Sequence, residues 1–128
     1  METVLIDTDI AIDFLRGLLE TKNLILPLWE NNIAFLSILS VYELYAGMHP
    51  KEQEITNHFI HACKIETLSL EITRHGAEIY QHYRKQGLTL TSIDCLIWAT
   101  AKVKKHKIAT RNFKHYPDKN ILLTHLMR

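Results

Sequence analysis

Short, wholly apolar runs alternate along this chain with longer stretches in which apolar positions recur every three or four residues. Thr3-Val4-Leu5-Ile6, Ile33-Ala34-Phe35-Leu36 and Lys107-Ile108-Ala109-Thr110 are runs of the first kind and read as buried strands. Ile65-Glu66-Thr67 is a weaker strand, and Ile121-Leu122-Leu123 is a candidate for a last one. Between them the spacing predicts helices. Asp7-Thr8 caps one that stops near Gly17, and a second covers about residues 20–31 and is closed by Asn31-Asn32. Ser40 opens a helix to Gly47, Pro50 another to about Ala62, Leu70 a long one to about Gln86, and Thr91-Ser92 caps the last to about Lys105. Strands that are apolar throughout and separated by helices belong to a parallel sheet covered on both faces. The fold class is α/β.

Open sheets of this kind bind ligands beyond the carboxyl ends of their strands, so the residues expected there carry the chemistry. Asp7 follows the first strand; Ser37, Ser40 and Glu43 follow the second; Thr110 and Asn112 follow the last internal one. The helix that begins after Thr91 delivers Asp94 to the same edge. Each acid also has a local structural reading. Asp7 suits a helix N-cap, Ser40 and Glu43 have capping-box spacing, and Asp94 lies in a first turn where the helix dipole favours an acid. The sequence leaves both readings open at each position. Taken together, three converging carboxylates repel one another unless a cation intervenes. Hard oxygen ligands suit Mg²⁺, with Mn²⁺ able to substitute, and such an ion supports phosphodiester hydrolysis without a covalent nucleophile.

Composition narrows the alternatives. A length of 128 residues, 47% of them hydrophobic and 23% charged, fits one globular domain over residues 1–128. No run approaches the ~18 apolar residues of a membrane span, and Met1-Glu2-Thr3-Val4 does not open a signal peptide, so a cytoplasmic protein is expected. Cys63 and Cys95 form no disulfide framework and read as small core residues. The 8 histidines include His58 and His61 at helical i, i+3 spacing, which suits zinc, but no second cluster completes a site. No glycine-rich phosphate loop is present. A receiver-like signalling domain would need an Asp ending its middle strand, where Ile65-Glu66-Thr67-Leu68 has none.

Charge is unevenly spread. Residues 1–101 hold 7 Lys or Arg against 13 Asp or Glu, whereas residues 102–128 hold 8 against 1. Lys102, Lys104 and Lys105 suit a helix C-terminus; together with Lys107, Arg111 and Lys114 they also suit a polyanion such as RNA. Arg111, beside Asn112, is the best phosphate contact because its fork pairs with two oxygens. Phe113 and Tyr116 fit base stacking, although core packing is the preferred reading.

Three segments carry a family resemblance: Val4-Leu5-Ile6-Asp7-Thr8-Asp9, Leu36 to Gly47 with Ser40 and Glu43, and Asp94 to Ala101 followed by Ile108-Ala109-Thr110-Arg111-Asn112. Together they resemble the PIN-domain nucleases, and within them the VapC-like toxins of toxin-antitoxin pairs. The resemblance implies a three-layer α/β/α sandwich around a mostly parallel sheet and a Mg²⁺-dependent endoribonuclease acting on tRNA or other structured RNA. Asp7, Glu43 and Asp94 match the family's acids, and Thr110 matches the hydroxyl beside the metal site; Ser40 is expected to support the same site. A small, DNA-binding antitoxin is implied as partner, with the toxin as a homodimer or in a toxin-antitoxin hetero-oligomer. One departure stands out. The family's further acid falls where this chain has Asn112 or His115, with Asp118 three residues beyond, and its loss leaves a catalytically impaired binding module as the alternative.

Overall fold

The computed structural model describes residues 2–123. Its four strands, β1 (Thr3–Ile6), β2 (Ala34–Ser37), β3 (Lys64–Glu66) and β4 (His106–Ala109), form one sheet in the order β3-β2-β1-β4. Every pairing is parallel, with Leu5 level with Phe35 on one side and Ile108 on the other. Six helices cover the sheet: α1 (Thr8–Leu15), α2 (Leu19–Glu30), α3 (Ile38–Gly47), α4 (Gln53–Ala62), α5 (Leu70–Lys85) and α6 (Ser92–Lys104).

The period-two alternation of a strand divides the core into two. Val4 and Ile6 pack with Ile10, Ile25, Leu36, Leu44 and Phe59 under the first four helices. Leu5 and Ile108 face the other way, onto Ile72, Ile97, Trp98 and Tyr116. The result is the expected three-layer sandwich. In the first layer Phe14, Trp29 and Phe59 form an aromatic triangle with ring centroids 5.0 to 5.4 Å apart. In the second, α5 lies close on α6 at Gly76, where a Cβ would come within 2.8 Å of Leu96 Cδ2. Cys63 and Cys95 are buried and unbridged, as their place among apolar residues suggested.

Two expected elements differ. Ile121 to Leu123 does not form a strand: Asp118 accepts a hydrogen bond from the Asn120 amide, the chain closes into a 3₁₀ turn at Lys119–Ile121, and only Leu122 pairs with the sheet, in a single parallel bridge to Ile108. The helix expected to open at Ser40 begins earlier, because Ser37 Oγ accepts the Leu39 N–H at 3.0 Å and is the N-cap. Ser40 is thereby inside the first turn, so Glu43 does not close a capping box on it. Both side chains are left to point elsewhere.

The aromatic triangle is the part of the core most sensitive to truncation. Phe59→Ala is expected to lower unfolding free energy by about 3–5 kcal/mol, read from urea denaturation. Ile55→Ala, on the same helix but 48% exposed, should cost under about 1 kcal/mol. Equal effects would contradict this division of the core.

Candidate active site

The chain runs from β1 outward through β2 to β3, then returns to place β4 on the other side of β1. The strand order therefore reverses beside β1, and an open cavity of about 480 Å³ lies at the carboxyl ends there, lined by Asp7, Asp9, Glu43, Asp94, Asn112 and His115 among others. The three acids singled out from sequence do converge.

Asp7 is the deepest of them, 4% exposed. Its Oδ1 accepts the Thr8 N–H at 2.9 Å, so it caps α1 as its sequence position suggested. Its Oδ2 accepts the hydroxyls of Thr110 at 2.8 Å and Tyr116 at 3.0 Å, both from the segment after β4. Burial, and then the charge of Asp9 beside it, push the Asp7 carboxyl up to about 6, against the opposing pull of these hydrogen bonds. Tyr116 is fully buried, as core packing predicted. Its burial and the charges of Asp7 and Asp94 hold its hydroxyl well above the usual phenol range, so it remains a donor.

Glu43, released from the capping role, is held by Thr8. The Thr8 Oγ1 lies 2.7 Å from Glu43 Oε1 and 2.9 Å from Ser40 Oγ; with a single proton it donates to the carboxylate and accepts from Ser40. Ser40 is thus a supporting residue at one remove. Asp94 occupies the first turn of α6, where Thr91 Oγ1 caps its own N–H at 3.1 Å. Its carboxylate is free of that cap, and Oδ2 stands 2.9 Å from His115 Nδ1.

Asp9 is the residue that sequence reasoning passed over. It lies two positions after Asp7, on the first turn of α1, and accepts the Arg111 N–H at 2.8 Å and the Ile10 N–H at 2.9 Å. Desolvation raises its pKa. The signal available was the Asp-x-Asp spacing itself, which reads equally well as a first-turn acid.

The basic residues are not brought to this edge as a group. Arg111 Nε pairs with Asp13 at 2.9 Å and its Nη2 lies 3.5 Å from Glu20, so its guanidinium ties the loop after β4 to α1 and α2. Lys105 is the left-handed C-cap of α6, at the opposite end of that helix from Asp94. Eleven positions of helical rise separate the two, roughly 16 Å at ~1.5 Å per residue. Lys107 lies on β4 near its amino end and donates to the Asn120 carbonyl. Lys114 alone remains exposed beside the cavity, next to His115 on a 3₁₀ turn. Asp118 lines a different cavity, with His82, Tyr83 and Lys102 between α5 and α6.

Four acids and no Lys or Arg line the cavity, an arrangement that electrostatics disfavours without a cation. The donor set is carboxylate and amide oxygen with one imidazole, which fits a hard divalent ion. Among the described residues no three His, Cys, Asp or Glu side chains close into a metal-binding group as they stand. An ion here would keep water in part of its shell, the habit of Mg²⁺. The same finding gives His58 and His61 no third partner.

The architecture and the acidic site define an α/β domain of the nuclease type. The sequence matches the PIN domain over residues 4–119, and the chain belongs to that family. It is 33% identical over 114 residues to ribonuclease VapC19 of Mycobacterium tuberculosis, an alignment covering 88% of this chain and 91% of that protein. It is 27% identical to ribonuclease VapC1 of Methanocaldococcus jannaschii over 114 residues, 88% and 78% of the two chains. Its fold is similar to that in a toxin-antitoxin complex from Klebsiella pneumoniae, with a TM-score of 0.80 at 24% identity over 95% of this chain and 97% of that one. VapBC2 from Rickettsia felis, bound to a promoter DNA fragment, gives a TM-score of 0.79 at 18% identity over 94% and 96% of the chains.

The elevated Asp7 pKa has a measurable consequence in protein freed of divalent ions. The carboxyl titrates near 6 in the fold against an ordinary 3.8, so the folded state holds the proton more tightly. That contribution is full below pH ~4 and is lost as pH rises through ~6. Asp7→Asn has no such proton to lose. Its unfolding free energy relative to wild type should therefore rise across the window, by on the order of 3 kcal/mol, in urea titrations with chelator present. Parallel pH profiles would show that Asp7 is not the group responsible.

Proposed function

We propose that this chain is a metal-dependent endoribonuclease toxin that hydrolyses RNA phosphodiester bonds, with tRNA or another structured RNA as substrate, and that a cognate antitoxin neutralises it. The observation that carries this reading is the cavity itself: four carboxylates, Asp7 buried among them, and no basic side chain in the lining. The ribonuclease names of the relatives and the toxin-antitoxin complexes among the structural neighbours point the same way.

Asp7, Glu43 and Asp94 are the residues that would hold the ion, Mg²⁺ in the ordinary case with Mn²⁺ as substitute. When bound, it polarises a phosphoryl oxygen and lowers the pKa of a water. The protein supplies the rest by position. Thr110 and Tyr116 keep Asp7 turned toward the cavity, and Thr8 with Ser40 does the same for Glu43. The Asn112 side chain lines the cavity and offers an amide to a water or a phosphate oxygen. Lys114 is the basic side chain placed to meet a phosphate. Arg111 is occupied by Asp13 and Glu20, so we assign it first to fixing the loop that carries Asn112.

The neighbours' titles name complexes with antitoxins, and two DNA-bound cases are among them. We extend this to a small DNA-binding antitoxin for this chain, in a homodimer or hetero-oligomer. Among the described residues no helix is long and apolar enough to cross a membrane.

Purified protein incubated with tRNA should cleave it in Mg²⁺ and stop in excess chelator. Asp94→Asn should slow cleavage roughly 10²–10³-fold, read from the disappearance of full-length RNA on denaturing gels. Cleavage that persists in chelator, or that is undiminished in the variant, would remove this mechanism. A protein that binds no Mn²⁺ at neutral pH would fit the impaired binding module instead.

A further inference from the structure

The position of the family's further acid is taken by one of three side chains in this chain, and the structure separates them. Asp118 opens into the cavity between α5 and α6 and not into the acidic one. Asn112 lines the acidic cavity but brings a neutral amide. His115 lines it as well, with Nδ1 2.9 Å from Asp94 Oδ2 and the side chain 46% exposed. Asp9, the extra acid close by, already accepts two backbone N–H groups, from Ile10 and Arg111.

His115 is also held in place. Its own N–H donates to the Asn112 carbonyl at 3.0 Å, and the Asn112 N–H donates to Thr110 Oγ1, which in turn donates to Asp7. On its other side Tyr116 is anchored on Asp7 through its hydroxyl, and Lys119 Nζ donates to the Phe113 carbonyl at 2.7 Å. The loop that presents the imidazole is thus pinned on the same carboxylate that forms the floor of the cavity. Two adjacent ligands of an octahedral ion with bonds of ~2.1 Å lie ~3.0 Å apart. The spacing between Asp94 Oδ2 and His115 Nδ1 matches that edge.

We propose that His115 is a nitrogen ligand of the ion held by Asp7, Glu43 and Asp94, and that it shifts the preference of the site from Mg²⁺ toward Mn²⁺. The inference rests on the metal-dependent reading above and deepens it. Imidazole is a softer donor than carboxylate and raises affinity for first-row transition ions more than for Mg²⁺. Replacing an acid by His115 also removes one negative charge from a crowded site, so the chain gives up charge attraction, on which Mg²⁺ depends most, and gains a bond that Mn²⁺ uses better.

The probe is Mn²⁺ alone, titrated into the full chain and followed by electron paramagnetic resonance, with nitrogen coupling to the bound ion read from spin-echo modulation in unlabelled and ¹⁵N-histidine protein. Wild type should bind Mn²⁺ with a histidine nitrogen coupled to it. His115→Ala should lose that coupling and weaken Mn²⁺ binding roughly tenfold or more, while Mg²⁺ competition changes less. His115→Asp should restore an all-oxygen set and move the Mn²⁺-to-Mg²⁺ preference toward Mg²⁺; circular dichroism confirms that both variants fold. Mn²⁺ bound without nitrogen coupling, or coupling that survives His115→Ala, overturns the role of His115 and leaves the metal site standing. Absence of Mn²⁺ binding overturns both.

Discussion

The carboxylate of Asp7 is the constraint around which this molecule is arranged. A charged group buried to this extent must be compensated by hydrogen bonds, by a counter-charge or by a proton. Here three donors come from two sequence-distant places: the Thr8 amide at the head of α1, and the hydroxyls of Thr110 and Tyr116 beyond β4. They join the first strand to the last stretch of described chain, 109 residues apart at the Tyr116 contact. They do not fully compensate, because Asp9 stands alongside and the carboxyl is still raised to about 6. The fold holds this group partly unsatisfied, which is the condition expected of a functional position and costs the folded state stability.

The same economy of donors explains the polar surroundings. Thr8 spends its proton on Glu43, Ser40 supports Thr8, and Thr91 caps α6 so that Asp94 need not. Each helix meeting the cavity is capped by a residue next to an acid or by an acid that has oxygen to spare. Capping and ligand-holding are not competing explanations here. Asp7 performs the first with Oδ1, and its place in the cavity lining leaves the second to the same side chain.

The layers and the acidic edge were legible in the sequence because both depend on local pattern: apolar runs for the strands, and acids that follow them. What escaped depends on contacts between distant segments. Ser40 reads as a cap only until Ser37, three residues earlier, takes that role and turns Glu43 toward Thr8. Asp9 is an ordinary first-turn acid until the loop after β4 places the Arg111 amide on it. The basic segment looked continuous along the chain, yet the parallel topology sends it along opposite ends of one helix and one strand, so Lys105 and Lys107 fall at the far edge while Lys114 remains near. Sequence distance cannot reveal that separation, since α6 reverses direction before β4 begins.

The pairing of Arg111 with Asp13 and Glu20 bears on how an anionic substrate meets this cavity. A phosphate approaching four carboxylates is repelled, and the one guanidinium close by is already neutralised. On the proposed reading, the charge that attracts the substrate must then come from the bound ion. Ion and RNA become linked ligands: whatever affinity the ion lends to the phosphate, the phosphate returns to the ion by the same factor. An acidic cavity without its own cations is therefore a safeguard as well as a ligand set. It disfavours RNA when no metal is present and confines productive binding to the state in which hydrolysis is possible.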